Sequence, residues 1–223
     1  MAVCELNKHE MEIPFEPYYD KDGITIYNAD CRQVLPFLGR FDIVLSDPPY
    51  GMEFQSNHRT IKHEKIAGDE SLPLSLIWLA MQKSKRCSYF FCRWDNLQQM
   101  PKPKSVLAWV KNNWSMGDLK HEHGRMWEAC CFYPTESHEF IKRIPDVLHH
   151  ARTGNDLHPT QKPEGLLREI IRANVGQTIL DPFMGSGTTL VASKLEGRSA
   201  VGIEINEKYC ESAAKRLEQG VLF

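Results

Sequence analysis

The chain has 223 residues, of which 42% are hydrophobic and 25% charged, and its formal net charge is −2. These values describe one globular domain, residues 1–223, and exclude a disordered or collagen-like chain. They also exclude a uniformly basic nucleic-acid binder, so any contact with phosphates needs a local positive patch.

Seven cysteines (Cys4, Cys31, Cys87, Cys92, Cys130, Cys131 and Cys210) are scattered and form no C-x-x-C pair. The pattern argues against a disulfide framework and a zinc site and fits a reducing, cytoplasmic setting. The N-terminal segment carries no apolar signal core, and no apolar run of roughly 18 residues occurs, so no membrane association is expected.

Residues 1–20 read as an irregular polar leader. Residues 23–27 alternate β-branched side chains and predict a short strand ending at Asn28-Ala29-Asp30. Residues 31–38 predict a short helix stopped by Gly39. Phe41–Ser46 predicts a buried strand that breaks at Asp47-Pro48-Pro49-Tyr50. Residues 51–70 are polar and basic without periodicity and read as a long mobile loop beside an active site. Residues 72–83 predict a helix, while residues 88–92, Ser105–Val110 and residues 126–133 predict strands. The rest of 111–155 reads as irregular.

The last third is clearer. Residues 163–173 predict a helix with proline near its start. A strand at 178–180 ends at Asp181, and a helix at Thr188–Leu195 is closed by Gly197. A strand at 199–203 ends at Glu204, and a helix at 206–217 takes Asn206 as its N-cap. Strands alternating with helices predict an α/β fold with a doubly wound, mostly parallel sheet.

Two turns carry chemistry. The first is Asp181-Pro182-Phe183-Met184-Gly185-Ser186-Gly187-Thr188-Thr189, between a strand and a helix. Gly185 and Gly187 permit a tight turn and close approach to a ligand. The free N–H groups of the next helix suit an anionic group. Alone, G-x-G would be read as a tight turn. Glu204, about twenty residues on at a strand end, favours a ligand site and suits ribose hydroxyls. The spacing matches neither the dinucleotide nor the P-loop fingerprint.

The second turn is Asp47-Pro48-Pro49-Tyr50. Two prolines remove two N–H donors, leaving carbonyls and the Asp47 carboxylate facing one pocket. Such a pocket suits a substrate that donates hydrogen bonds, such as an amino group, and Tyr50 adds a flat face for a base. An aromatic amine is a poor nucleophile because its lone pair is delocalised. If Asp47 and the Pro48 carbonyl accept its two hydrogens, the nitrogen can pyramidalise toward a methyl donor.

Together these residues resemble the amino-methyltransferases of DNA, in the permuted class whose catalytic motif precedes the cofactor motif. Asp47–Tyr50 matches the catalytic motif and residues 181–189 match the cofactor motif. His158-Pro159-Thr160-Gln161-Lys162-Pro163 matches the segment before the cofactor half. The resemblance implies a seven-stranded, mostly parallel sheet and S-adenosylmethionine as cofactor. It brings Thr160 and Lys162 to the methionine carboxylate, and Asp30 and Cys31 to the cofactor adenine. It further implies a base flipped out of double-stranded DNA. Asp47 at the head of the catalytic motif favours N6 of adenine over N4 of cytosine. The same residues would also serve methylation of an RNA base nitrogen, or persist in a DNA-binding module that has lost its activity.

The region expected to read the DNA sequence, residues 112–155, is short, which suggests a homodimer or help from the loop at 51–70. His58, Arg59, Lys62, His63 and Lys65 form a basic cluster after the catalytic turn and are candidate phosphate contacts. Lys102, Lys104, Lys111, Lys120, Arg125, Lys142, Arg143 and Arg152 extend that patch. His121-Glu122-His123 lacks a third ligand nearby, so no metal site is expected. Trp109 is expected in the core, with Trp114 and Trp127 open to either reading. The expected setting is a restriction–modification system, a phage or a prophage.

Overall fold

The computed structural model describes residues 13–50, 72–114, 120–121, 123–152 and 161–219. Arg59, Lys62 and Lys65, with the rest of the expected loop, and Thr160 lie outside the described residues. In chain order the elements are β1 (Tyr19–Lys21), β2 (Ile24–Asn28), α1 (Cys31–Val34), β3 (Phe41–Ser46), α2 (Leu74–Gln82), β4 (Ser84–Cys92) and β5 (Ser105–Val110). There follow β6 (Trp127–Pro134), β7 (Val147–His149), α3 (Glu164–Ala173), β8 (Thr178–Asp181), α4 (Thr188–Leu195), β9 (Ser199–Glu204) and α5 (Glu207–Glu218).

The described strands form one sheet in the order β1-β2-β9-β8-β3-β4-β6-β5-β7. The run β2-β9-β8-β3-β4 is parallel throughout. β6 runs antiparallel to both β4 and β5, β7 is parallel to β5, and β1 is antiparallel to β2. The expected α/β fold with a mostly parallel sheet is therefore met. The strand count differs from the expected seven, because β1 and β7 add three-residue strands at the two edges.

Alternate strand residues are buried on opposite faces. Ile43, Leu45, Tyr89 and Phe91 pack with α3, α4 and α5, whereas Val44, Phe90 and Cys92 pack with α1 and α2. Burial on both faces explains why these strands read as unbroken apolar runs. Each such aliphatic or aromatic side chain contributes about 1.5–3 kcal/mol.

Some boundaries differ from expectation for local reasons. α1 gives way to a 3-10 turn at Leu35–Phe37, since Pro36 has no N–H to continue the α-helix. β4 starts at Ser84, earlier than expected, because Lys85 points to solvent while the backbone already pairs with β3. β1 pairs with β2 across Asp22-Gly23, both at positive φ (53° and 76°), the geometry of a tight hairpin. Residues 19–21 are thus a strand and not leader. Asn206 caps α5 as expected, its side chain accepting the Lys208 N–H at 3.0 Å.

Candidate active site

Because β2, β9, β8, β3 and β4 are parallel, their C-terminal ends share one edge of the sheet. Asp30 lies just past β2, Glu204 ends β9, Asp181 ends β8 and Asp47 follows β3. β3 and β8 are direct neighbours, pairing Val44 with Leu180. From them the chain winds outward in opposite directions, toward β4 and toward β9. A crevice at such a divergence is where open α/β sheets bind ligands. Ser46 Oγ donates to Asp181 Oδ1 at 2.5 Å, joining the two motifs directly.

The glycine turn is held from three sides. Gly185 and Gly187 have φ of 51° and 78°. A Cβ on Gly187 would meet the Ala213 Cβ of α5 at 2.6 Å. Arg216, also on α5, donates to the Ser186 carbonyl at 2.6 Å and to Thr188 Oγ1 at 3.2 Å. Glu204 accepts the Gly185 N–H on Oε2 at 3.0 Å and the Asn206 N–H on Oε1 at 2.9 Å. The acid expected to face ribose hydroxyls therefore also braces the turn, while its oxygens keep lone pairs for further donors. Pro182 and Ser186 are buried, and Phe183 is half-buried.

Burial sets the titration of these acids. It pushes Asp181 up to about 6, against the Ser46 and Thr189 hydroxyls and the Phe183 N–H. It also raises Glu204, against the N–H groups of Asn206 and Gly185. Asp30 behaves oppositely. As N-cap of α1 it accepts the Arg32 N–H at 2.9 Å, and the Arg32 guanidinium lowers its pKa. Cys31 is buried, which pushes its thiol up to about 12.

At the Asp-Pro-Pro-Tyr corner both carboxylate oxygens of Asp47 are engaged. Tyr50 Oη donates to Oδ1 and Lys162 Nζ to Oδ2. Lys162 also lies 3.1 Å from Tyr50 Oη and 3.2 Å from Glu128 Oε2, with the Phe91 ring 5.1 Å away. Asn96 Nδ2 donates to the Tyr50 carbonyl at 3.0 Å, pinning the corner. Desolvation raises the Asp47 pKa, Glu128 adds to the rise, and Lys162 and Tyr50 oppose it. Burial works against the Lys162 ammonium, but Asp47 and Glu128 outweigh it and hold its pKa above the usual value.

Lys162, expected at the donor's carboxylate, is seated on Asp47 and Glu128, the counter-ions a lysine only 5% exposed requires. One expectation is corrected here: Lys111, expected in a surface patch, is equally buried and paired with Glu128. Sequence reading missed Glu128 altogether. Its signal was an acid inside the apolar strand sequence WEACCFYP, since a buried charge needs a partner. Arg125 is half-buried just before β6, whose start lies at the edge of the sheet that carries Asp47.

Trp109 is in the core as expected, donating Nε1 to the His150 carbonyl at 2.9 Å. Trp114 and Trp127 are exposed. Among the described residues no three His, Cys, Asp or Glu side chains cluster as metal ligands, and no helix is long and apolar enough to cross a membrane.

Comparison with known proteins agrees with this geometry. Residues 75–215 match the DNA methylase family N6_N4_Mtase. The Type II methyltransferase M2.LlaDCHI of Lactococcus lactis subsp. cremoris is 27% identical, the alignment covering 100% of this chain and 99% of that one. YubD of Escherichia coli (strain K12) is 31% identical over 85% of this chain and 88% of its own. Two solved structures share the fold. M1.HpyAVI in complex with SAM has a TM-score of 0.68 at 24% identity, over 86% of this chain and 99% of that one. The cytosine-N4-specific PvuII DNA methyltransferase has a TM-score of 0.71 at 14% identity, over 95% and 92%. With the family match spanning more than half its length, the chain belongs to the N6/N4 DNA methylases.

Proposed function

We propose that this protein transfers a methyl group from S-adenosylmethionine to N6 of adenine in double-stranded DNA. The observation that carries the reading is the Ser46–Asp181 hydrogen bond, which puts the Asp47 corner and the glycine turn on one crevice. The residues present fit the cofactor. Gly185 and Gly187, at φ of 51° and 78°, shape the turn into the N-terminus of α4, whose free N–H groups suit a carboxylate. Asp181 and Glu204 suit a cationic donor bearing ribose hydroxyls, and Asp30 with Cys31 lies at the far end of the same sheet edge for its adenine. Thr160 is proposed at the donor's carboxylate. Bound there, S-adenosylmethionine supplies an electrophilic methyl group on a sulfonium centre.

The chain's own residues then act on the flipped base. Asp47 and the Pro48 carbonyl accept the two amine hydrogens and aim the nitrogen lone pair along the crevice. Pro48 and Pro49 keep competing N–H donors out of the pocket. Tyr50 carries the base, and its hydroxyl, with Lys162, opposes the rise that burial gives the Asp47 pKa. Asp47 at the head of the motif supports adenine. Arg59, Lys62, Lys65 and Arg125 are proposed phosphate contacts, and residues 112–155 a target-recognition segment.

Digestion of DNA methylated by the purified protein, followed by mass spectrometry, tests the choice of base. N6-methyladenine is expected. N4-methylcytosine without N6-methyladenine would overturn the choice, and a preference for structured RNA in competition would overturn the substrate.

A further inference from the structure

We infer that Glu128 is a positioning residue for methyl transfer: it shares the Lys162 ammonium with Asp47, so that the target amine can take an Asp47 oxygen without stranding a buried cation. The inference rests on Asp47 being the amine acceptor.

Among the described residues four charges form a chain, in the order Lys111, Glu128, Lys162 and Asp47, with both lysines buried and both carboxylates half-buried. The two signs balance. Lys111 follows β5 directly and its N–H donates to the Met126 carbonyl at 2.7 Å; Glu128, on β6, faces Trp109 in the ladder. Glu128 is thus fixed by the sheet, whereas Lys162 arrives from the segment before α3.

In this arrangement Asp47 has no unengaged oxygen, because Tyr50 holds Oδ1 and Lys162 holds Oδ2. Each oxygen keeps a further lone pair, but an amine hydrogen that docks on Oδ2 must share it with the Lys162 ammonium and loosen that pair. If Asp47 were the sole counter-ion, drawing Lys162 away would leave an unpaired ammonium in a desolvated pocket, which is costly. Glu128 removes that obstacle. Its Oε2 lies 3.2 Å from Lys162 Nζ, yet it is buried and receives no well-directed hydrogen bond. That oxygen can take the ammonium more fully as Asp47 is released. Lys111, on Oε1, keeps Glu128 ionised, and the two lysines hold its pKa at about 2 against burial.

The test is methyl transfer from radiolabelled S-adenosylmethionine to unmethylated bacterial genomic DNA, with kcat followed against pH. Among the described residues, the groups facing Asp47 are Lys162, Tyr50, Glu128 from β6, Asp181 from β8, and the Cys92 and Cys130 thiols. Of the charged neighbours, only Glu128 is altered in Glu128→Gln. Its kcat is expected to fall about 10- to 100-fold, the worth of one charged hydrogen bond. Its acid limb should move to lower pH, because a like charge near Asp47 is gone. Lys162→Met should move the limb to higher pH. Cofactor affinity by calorimetry should stay unchanged in Glu128→Gln.

Wild-type kcat in Glu128→Gln would overturn the inference. So would a lower kcat with an unmoved acid limb, since that marks a merely structural role. If Glu128→Gln does not fold, the charge-balanced double variant Lys111→Met/Glu128→Gln carries the same expectations. A wild-type protein that transfers no methyl would defeat the proposed function itself, and this inference with it. An active wild type beside an unaffected Glu128→Gln defeats only the inference.

Discussion

Ser46 Oγ donates a 2.5 Å hydrogen bond to Asp181 Oδ1, tying the last residue of β3 to the last residue of β8. The next residue after Ser46 is Asp47, and the next after Asp181 opens the glycine turn. One buried contact therefore sets the spacing of both halves of the crevice. Ser46→Ala removes this donor but leaves Asp181 the Phe183 N–H at 3.1 Å. A loss of about 1–3 kcal/mol is expected for a buried bond of this kind, read by urea unfolding. Methyl transfer should fall with it.

Asp181 also predicts a pH dependence of stability. Its folded pKa of about 6 lies above the ordinary 3.8. The protonated form is thus relatively favoured by the fold. Its contribution is fully present below about 3.8 and is lost as pH rises through about 6, on the order of 3 kcal/mol. Asp181→Asn has no such titration. The stability difference, variant minus wild type, should rise between pH 4 and pH 7 in paired urea titrations. A flat difference would contradict the assignment.

For Asp47, substitution by Asn keeps the shape and removes the charge. Methyl transfer should drop by about 100- to 1000-fold, the usual cost of removing one preorganised electrostatic group. Lys162 keeps Glu128 as a carboxylate neighbour, shared with Lys111, so the fold should persist. Calorimetry should show S-adenosylmethionine still binding to the variant. Loss of cofactor binding to the same extent as transfer would place Asp47 on the donor and not on the amine.

Gly187→Ala introduces a Cβ at a φ of 78°, where it also meets Ala213 at 2.6 Å. The left-handed backbone alone costs about 1–3 kcal/mol for a non-glycine residue. Thermal melting should show the loss. Cofactor affinity should weaken as well, because α5 and the turn must separate to admit the methyl group.

The architecture was legible where the pattern was local. Phe41–Ser46 and Thr188–Leu195 have the predicted bounds, since an apolar run stopped by prolines and a helix stopped by glycine carry their own end signals. β7 was not legible, because three residues bear no periodicity. β1 could have been found from Asp22-Gly23, a hairpin signal that follows it directly.

The chain order of residues alone determined the two motifs and the mostly parallel sheet. Proline pairs, glycine pairs and alternating apolar residues act through their own backbone and near neighbours. Only the tertiary structure decided what Lys162 does. Its partners, Asp47 just past β3 and Glu128 on β6, are 115 and 34 positions away and are brought together by the sheet. A buried ammonium must find a counter-charge, but which one depends on where the fold leaves a carboxylate within reach, and no local spacing contains that distance.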